Sequence, residues 1–324
     1  MKYENAVILL NMGGPNSLDE VSSFLKNMFS DPCILSIKNS MFRSILGSII
    51  VNNRIEKSKK IYQALGGASP ITQITFSLIK KLQKIDSATF YTYAMRYSTP
   101  YCYNVLKEVQ EKNINNVVLF SMYPQYSTTT TLSSFNDVLY SLKKLNFEPS
   151  VSIVERYYNN KLFIDSIANS LQKTLNGSNP SDFTLILSAH SIPVSRVKKG
   201  DPYQNECEIC SKALQQTLEE RGIRFQEIIL SYQSKVGPVK WIGPETQDII
   251  RQKTNKNVMI YPISFSIDNS ETLYELCIQY KDIANEVGIR DYRVCPCLND
   301  SDDFIELILN LTKANKESHS QIAI

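Results

Sequence analysis

Seven short apolar runs alternate with helical patterns along the whole chain, and this alternation restricts the possible folds more than any other feature. The runs lie at 6–10, 89–95, 116–122, 150–155, 183–188, 227–232 and 257–263. They are rich in Val, Ile, Tyr and Phe and are bounded by turn residues. They are apolar on both faces, which is how buried parallel strands read. Between them Ile71, Ile74, Leu78, Leu82 and Ile85 recur at helical spacing. So do Leu132, Phe135, Leu139, Leu142 and Leu145, and later Leu273, Leu276, Tyr280, Ile283 and Val287. Strand–helix alternation implies right-handed crossovers and an α/β fold with helices on both faces of the sheet.

The order is weakly duplicated. In the first half one run leads into Asn11-Met12-Gly13-Gly14-Pro15 and a later one into Tyr123-Pro124-Gln125-Tyr126. In the second half the corresponding ends are Ser188-Ala189-His190-Ser191 and Phe265-Ser266-Ile267-Asp268. At 324 residues the chain exceeds what one core usually serves, roughly 250–300 residues. Two similar doubly wound halves facing a shared cleft are therefore expected. Ligands of such sheets bind beyond the carboxyl ends of the strands, where the unusual residues of this sequence sit.

Charge and composition exclude several classes. Thirty-five basic against 32 acidic residues give a net charge of +3, too balanced to indicate a nucleic-acid protein. No apolar run approaches the roughly 18 residues needed to span a bilayer. The run at 6–10 is too short for the apolar region of a signal peptide, so a cytoplasmic chain is expected. Seven cysteines, an odd number, are read as mostly buried thiols in a reducing compartment. Of two histidines, His319 lies in a polar tail expected to fray, which leaves His190 as the candidate imidazole. Gly13-Gly14-Pro15 is not a dinucleotide fingerprint, because Pro15 lacks the N–H that would bind phosphate.

Six segments in order carry a resemblance. They are LLNMGGPNSLDEVSSFLKNMFSDP at 9–32, MRYSTP at 95–100, YPQYSTTTT at 123–131, LSAHSIPVSRVKKGDPY at 187–203, YQSKVGPVKWIGPET at 232–246 and PISFSIDNSETLYEL at 262–276. Together they resemble the ferrochelatase family, which inserts ferrous iron into protoporphyrin IX to form protohaem. The resemblance implies two Rossmann-like halves with mainly parallel four-stranded sheets around a porphyrin cleft. It places the first half at 1–123 plus about 303–318, with a hydrophobic lip at 34–55, and the second at 124–302. It implies no nucleotide cofactor, with Fe²⁺ as a substrate.

Metal insertion needs a base for two pyrrole protons, a rigid pocket that distorts the macrocycle, and metal ligands weak enough to release iron. His190 matches the family's catalytic histidine, as proton acceptor or metal ligand; read alone, a strand-end His is more often a backbone-bonded one. Glu271 matches the active-site glutamate. Glu271, Glu275 and Gln279 are four apart, which puts them on one ridge of an α-helix, although the same spacing suits a solvated helix edge. The resemblance makes His190, Glu271 and Glu275 the metal-contacting residues. Gln279 replaces an acidic residue common in the family, which shortens any relay of charge. Asn269 stands where many members carry a second histidine, and it can hold a water or a propionate but cannot serve as a base. Met12 matches a residue on the opposite porphyrin face. Arg54, Tyr62, Arg96, Tyr123, Ser127 and Trp241 match pocket residues, the arginines being suited to propionates.

Met41, Phe42, Ile45, Leu46, Ile49 and Ile50 form a stripe at helical spacing within 34–51, flanked or opposed by Lys38, Arg43 and Arg54. Such a stripe suits a core helix or a membrane-surface helix. The resemblance implies a cleft lip that touches the inner face of a membrane without spanning it. Thr128 stands where some members carry a cluster cysteine, and the tail beyond Asp300 has none, so that form of [2Fe–2S] cluster is not expected. Cys207, Cys210, Cys295 and Cys297 are read as packing residues, with a metal site as the alternative. Rival functions are a chelatase for coproporphyrin III or cobalt, and a non-catalytic porphyrin or haem carrier. The oligomeric state is open.

Overall fold

The computed structural model describes residues 3–317; His319 lies outside them. Two compact units are present. One comprises the chain up to Arg156 together with the C-terminal segment from Ile305, and the other runs from Tyr157 to Phe304.

The first unit is built on strands β1 (Asn5–Asn11), β2 (Thr89–Met95), β3 (Asn116–Ser121) and β4 (Ser150–Val154), all parallel, in the order β2-β1-β3-β4. The second is built on β5 (Phe183–His190), β6 (Glu227–Gln233), β7 (Asn257–Tyr261) and β8 (Asp291–Val294), also all parallel, in the order β6-β5-β7-β8. The two sheets therefore share one wiring pattern. In each, the strand order reverses beside the first strand of the unit. That is the switch point at which ligands of open α/β sheets bind. In the second unit the residue at the end of that strand is His190.

The central strands are buried on both faces: Ala6, Val7, Ile8 and Leu9 are wholly inaccessible, as are Leu185, Ile186, Leu187 and Ala189. At about 25 cal/mol per Å² of apolar surface removed from water, these strands and the helices packed on them supply the main stabilisation of each unit. β8 has no counterpart among the expected runs. It is four residues long and half-buried throughout, so it carries no apolar run.

The expected boundary at 123/124 is corrected. The YPQYSTTTT segment is a loop within the first unit. It leads into the helix Thr131–Leu145, which crosses over and returns the chain to β4 beside β3. The first unit thus continues to Arg156. The periodic segment at 273–287 is also corrected. Glu271–Gln279 is a π-helix, and an α-helix follows only from Tyr280 to Glu286.

The helix Ser40–Ala64 starts where Asn39 Oδ1 accepts the N–H groups of Met41 (2.9 Å) and Phe42 (3.2 Å). It buries Gly47, Val51, Ser58 and Tyr62, and Val51 and Tyr62 join Val21, Phe24, Leu25 and Phe29 in one apolar cluster. Of the stripe, only Ile50 packs against that cluster; the rest faces away. Met41, Phe42, Ile45, Leu46 and Ile49 are 39–62% exposed, so the core-helix reading does not hold. Arg43 does not flank the stripe freely: its Nε and Nη1 donate to the carbonyls of Ser30 (2.9 Å) and Ile37 (2.7 Å). No helix among the described residues is long and apolar enough to cross a membrane.

Gly47 sets how closely this helix approaches Glu20–Ser30. A Cβ there would lie 3.0 Å from the Phe29 carbonyl oxygen. Gly47→Val is expected to cost about 1–3 kcal/mol through overpacking against rigid backbone, read as a lowered urea midpoint; an unchanged midpoint would show that the two helices separate freely.

Candidate active site

The site in the second unit is assembled where β5, β6 and the start of the π-helix end near one another. The apolar run of β5 delivers His190, whose side chain is 36% exposed. The His190 N–H donates to Ser264 Oγ at 2.9 Å. Its ring Nδ1 lies 2.7 Å from Glu271 Oε2. With Glu271 accepting the Nδ1 proton, Nε2 carries the lone pair that can take up a proton or ligate a metal.

Glu271 is held by the turn that starts its helix. Asn269 Oδ1 accepts the Glu271 N–H at 2.8 Å, and Asn269 Nδ2 donates to the Ile267 carbonyl at 3.0 Å. The Asn269 N–H donates to Thr272 Oγ1 at 3.0 Å, and Thr272 in turn donates to the buried Asp268 at 2.8 Å. Asn269 was expected to offer its amide to water or propionate. In the structure that amide closes the turn beneath Glu271.

Glu275 accepts from Ser234 Oγ (2.5 Å), Ser234 N–H (3.0 Å) and Tyr280 Oη (2.8 Å). Burial, followed by the nearby Glu271 carboxylate, pushes its pKa up, against the Ser234 and Tyr280 hydroxyls and His190. The third member of the expected ridge, Gln279, is exposed. The reason is the π-helix. Its i→i+5 bonding, seen in the Tyr280 N–H to Glu275 carbonyl bond, stacks residues five apart. Tyr280 therefore takes the place next to Glu275 that an α-helix would give Gln279.

Among the described residues no group of three or more His, Cys, Asp or Glu side chains is arranged to hold a metal ion. His190 and Glu271 are bonded directly, and Ser234 Oγ links Glu271 to Glu275. Trp241, half-buried, donates Nε1–H to the Val236 carbonyl at 3.0 Å. Cys207, Cys210, Cys295 and Cys297 are buried. Burial pushes the thiols of Cys207, Cys295 and Cys297 up, that of Cys295 to about 12, which favours the packing thiol over the ligating thiolate.

Met12, Arg54, Tyr62, Arg96, Tyr123 and Ser127 lie in the first unit. Met12 follows β1, half-buried, and its carbonyl accepts the Tyr97 N–H at 3.0 Å. Beside it, Gly13 has φ +82°, and a Cβ would fall 2.2 Å from Ser98 Oγ, so only glycine fits the turn. Tyr62 is buried, and the Arg54 guanidinium lies 5.8 Å from the centre of the Phe29 ring. Ser127, also buried, shares a 2.8 Å hydrogen bond with Thr129 Oγ1. Burial pushes the Tyr123 phenol up.

Arg96 was expected to meet a propionate, yet its guanidinium is committed within the unit. Nη2 lies 2.9 Å from Asp31 Oδ2, Nε donates to Ser133 Oγ at 2.9 Å, and Nη1 is 3.7 Å from Asp137. Asp31 is a residue to which sequence reasoning assigned no role. It is 3% exposed and also accepts from Tyr97 Oη (2.9 Å), the Cys33 N–H (2.7 Å) and the Ser133 hydroxyl. Burial alone would raise its pKa. The Ser133 hydroxyl, the Cys33 N–H, Arg96 and Tyr97 outweigh that and hold it below the usual carboxylate range.

Comparison with known proteins decides what these residues belong to. The family model for ferrochelatase matches residues 4–316. The chain belongs to the ferrochelatase family. It is 53% identical over 311 residues to a ferrochelatase of Helicobacter pylori (strain HPAG1), covering 96% of this chain and 93% of that one. It is 48% identical over 308 residues to a ferrochelatase of Wolinella succinogenes, covering 95% and 98%. Among solved structures, SirB from Bacillus subtilis with Fe³⁺ aligns with a TM-score of 0.61 at 8% identity, over 97% of this chain and 96% of that one. A cobalt complex of the sirohydrochlorin chelatase SirB from Bacillus subtilis subspecies spizizenii aligns with a TM-score of 0.56 at 7% identity, over 78% and 92%. At such identities these two show a shared fold alone. Membership of the ferrochelatase family makes this chain a metal-insertion enzyme.

Proposed function

We propose that the chain inserts Fe²⁺ into protoporphyrin IX to form protohaem, with His190 as the pyrrole proton acceptor and Glu271 as the carboxylate that orients and relieves it. The observation that supports this most is the 2.7 Å contact between His190 Nδ1 and Glu271 Oε2 at the end of β5. Metalation releases two pyrrole protons, so a base with an outlet is needed. An imidazole held by a carboxylate on one nitrogen presents the other to the ring, and the positive charge it gains is stabilised by its partner. Ferrous iron enters as substrate and is given up to the macrocycle, which suits a cluster of weak nitrogen and oxygen donors.

On this reading Arg54 is a better propionate partner than Arg96, which Asp31 and Ser133 already occupy. Met12, Tyr62, Tyr123, Ser127 and Trp241 supply apolar or hydroxyl contacts to a flat ligand. The reading is tested by anaerobic insertion of Fe²⁺, or Zn²⁺ as a surrogate, into protoporphyrin IX, followed as loss of free-porphyrin fluorescence. Porphyrin binding without insertion would favour a carrier. Insertion into coproporphyrin III alone would reassign the tetrapyrrole.

We also propose that the stripe Met41, Phe42, Ile45, Leu46 and Ile49 rests on the inner face of a membrane. Contiguous large apolar side chains this exposed mark an interaction surface, and membrane contact suits a poorly soluble substrate. Ile45→Asp with Ile49→Asp is expected to lower co-sedimentation with anionic vesicles at least tenfold, by roughly 1.5–3 kcal/mol per lost apolar side chain, at unchanged thermal stability. Equal co-sedimentation would remove the stripe as the contact.

A further inference from the structure

We infer that Ser234 is a positioning residue for the His190–Glu271 pair, an inference that rests on the metal-insertion reading above and extends it to a residue outside the expected site. Ser234 is the first residue after β6, with φ +66°. Among the described residues the other non-glycine positions with positive φ are all Asn: Asn113, Asn146, Asn176, Asn255 and Asn299. Asn tolerates this left-handed conformation better than most residues, whereas serine has no such advantage. A strained serine calls for a reason in its side chain or in the direction of its N–H.

Both groups point to the π-helix. The Ser234 N–H donates to Glu275 Oε1 at 3.0 Å, and Oγ lies 2.5 Å from Glu275 Oε2 and 3.2 Å from Glu271 Oε2. Glu271 Oε2 is thus shared between Ser234 Oγ and His190 Nδ1. The preceding residue, Gln233, is buried and anchors this strand end. Its Oε1 accepts from Ser188 Oγ at 2.7 Å, and its Nε2 donates to the Glu271 carbonyl at 3.1 Å. The end of β6 therefore clamps the first turn of the π-helix and gathers two mutually repelling carboxylates around one hydroxyl. Without that hydroxyl, Glu271 and Glu275 lose their common donor, and the repulsion between them turns Glu271 off the imidazole. Ser234 touches no reacting atom on this view. It acts through Glu271.

The test compares the full-length wild type with Ser234→Ala, Ser234→Gly, Glu275→Gln and the double variant Ser234→Ala/Glu275→Gln. Glycine fits φ +66° without strain and keeps the N–H, so it isolates the hydroxyl. With Zn²⁺ and protoporphyrin IX, both Ser234 variants are expected to lose at least tenfold in kcat, with porphyrin KM within twofold of wild type. The double variant is expected to be no slower than the slower single variant, because the two changes break one cluster. Wild-type kcat in Ser234→Gly, or losses that multiply in the double variant, would overturn the proposal. Amide hydrogen exchange at 271–275 gives a readout independent of turnover. It is expected to quicken in Ser234→Ala while β5 stays protected, and unchanged exchange would also overturn the proposal. A wild type that inserts no metal sinks the metal-insertion reading, and the exchange result still decides whether Ser234 holds the helix.

Discussion

Replacing His190 with Ala is expected to lower the rate of metal insertion by about 10²–10⁴-fold, the usual contribution of a positioned general base. The expectation follows from scarcity as much as from geometry. The chain has two histidines, and His190 is the only one within the described residues. The neighbouring Asn269 cannot accept a proton at neutral pH, and its amide is engaged at the turn. Among the described residues no second imidazole stands by to take over. The substitution also leaves Glu271 without the partner at 2.7 Å, although Ser234 Oγ at 3.2 Å still holds that carboxylate. Porphyrin affinity, read by fluorescence titration, is expected to stay within a few-fold. A His190→Ala protein that turns over at the wild-type rate would take the imidazole out of the mechanism and leave Glu271 as the base.

Asp31→Ala is expected to cost the protein about 3–5 kcal/mol, the range for breaking a buried charge pair by removing one partner. The Arg96 side chain keeps 24% exposure, so the lower end applies to the stranded guanidinium. The lost acceptors for Tyr97, Ser133 and the Cys33 N–H add to it. The pH dependence has a definite sign. The folded-state pKa of Asp31 lies below its unfolded value of about 3.9. Its stabilisation is therefore fully present above pH 4 or so and fades as pH falls through the lower folded value. Urea midpoints of wild type and Asp31→Ala are expected to differ most at neutral pH and to converge in acid. A gap that persists undiminished at the acid end would show that the loss is one of packing and not of charge.

Much of the fold was legible because burial and periodicity are local signals. The central strands are continuous apolar runs, and they were found where the runs lie. β8 was missed because an edge strand half-buried throughout has no such run. The boundary at 123/124 failed because a Thr-rich loop looks the same whether it links domains or starts a crossover helix. The π-helix was hidden for a related reason: apolar residues at 273, 276, 280 and 283 suit an α-helix, and only the i→i+5 hydrogen bond shows otherwise. His190 and Glu271 were singled out because they sit in the distinctive segments at 187–203 and 262–276, and the fold brings the two side chains within 2.7 Å. Asp31 and Ser234 were not assigned a role. A buried aspartate is explained by Tyr97, Arg96 and Ser133, and a strained serine by Glu271 and Glu275. Those partners are brought together only by the fold.

The shared strand order of the two sheets has a further consequence. A pattern used once must place grip and reactivity at the same loop ends, where a change that improves one disturbs the other. Used twice, it separates them. The switch-point end of β1 carries Met12 and a tight glycine turn, groups that pack and do not titrate. At the equivalent end of β5 an imidazole meets a carboxylate of the π-helix, with a second carboxylate of that helix beside it. On the proposed reading, changes at the β1 end would leave the acid–base chemistry of the β5 end untouched, and the reverse.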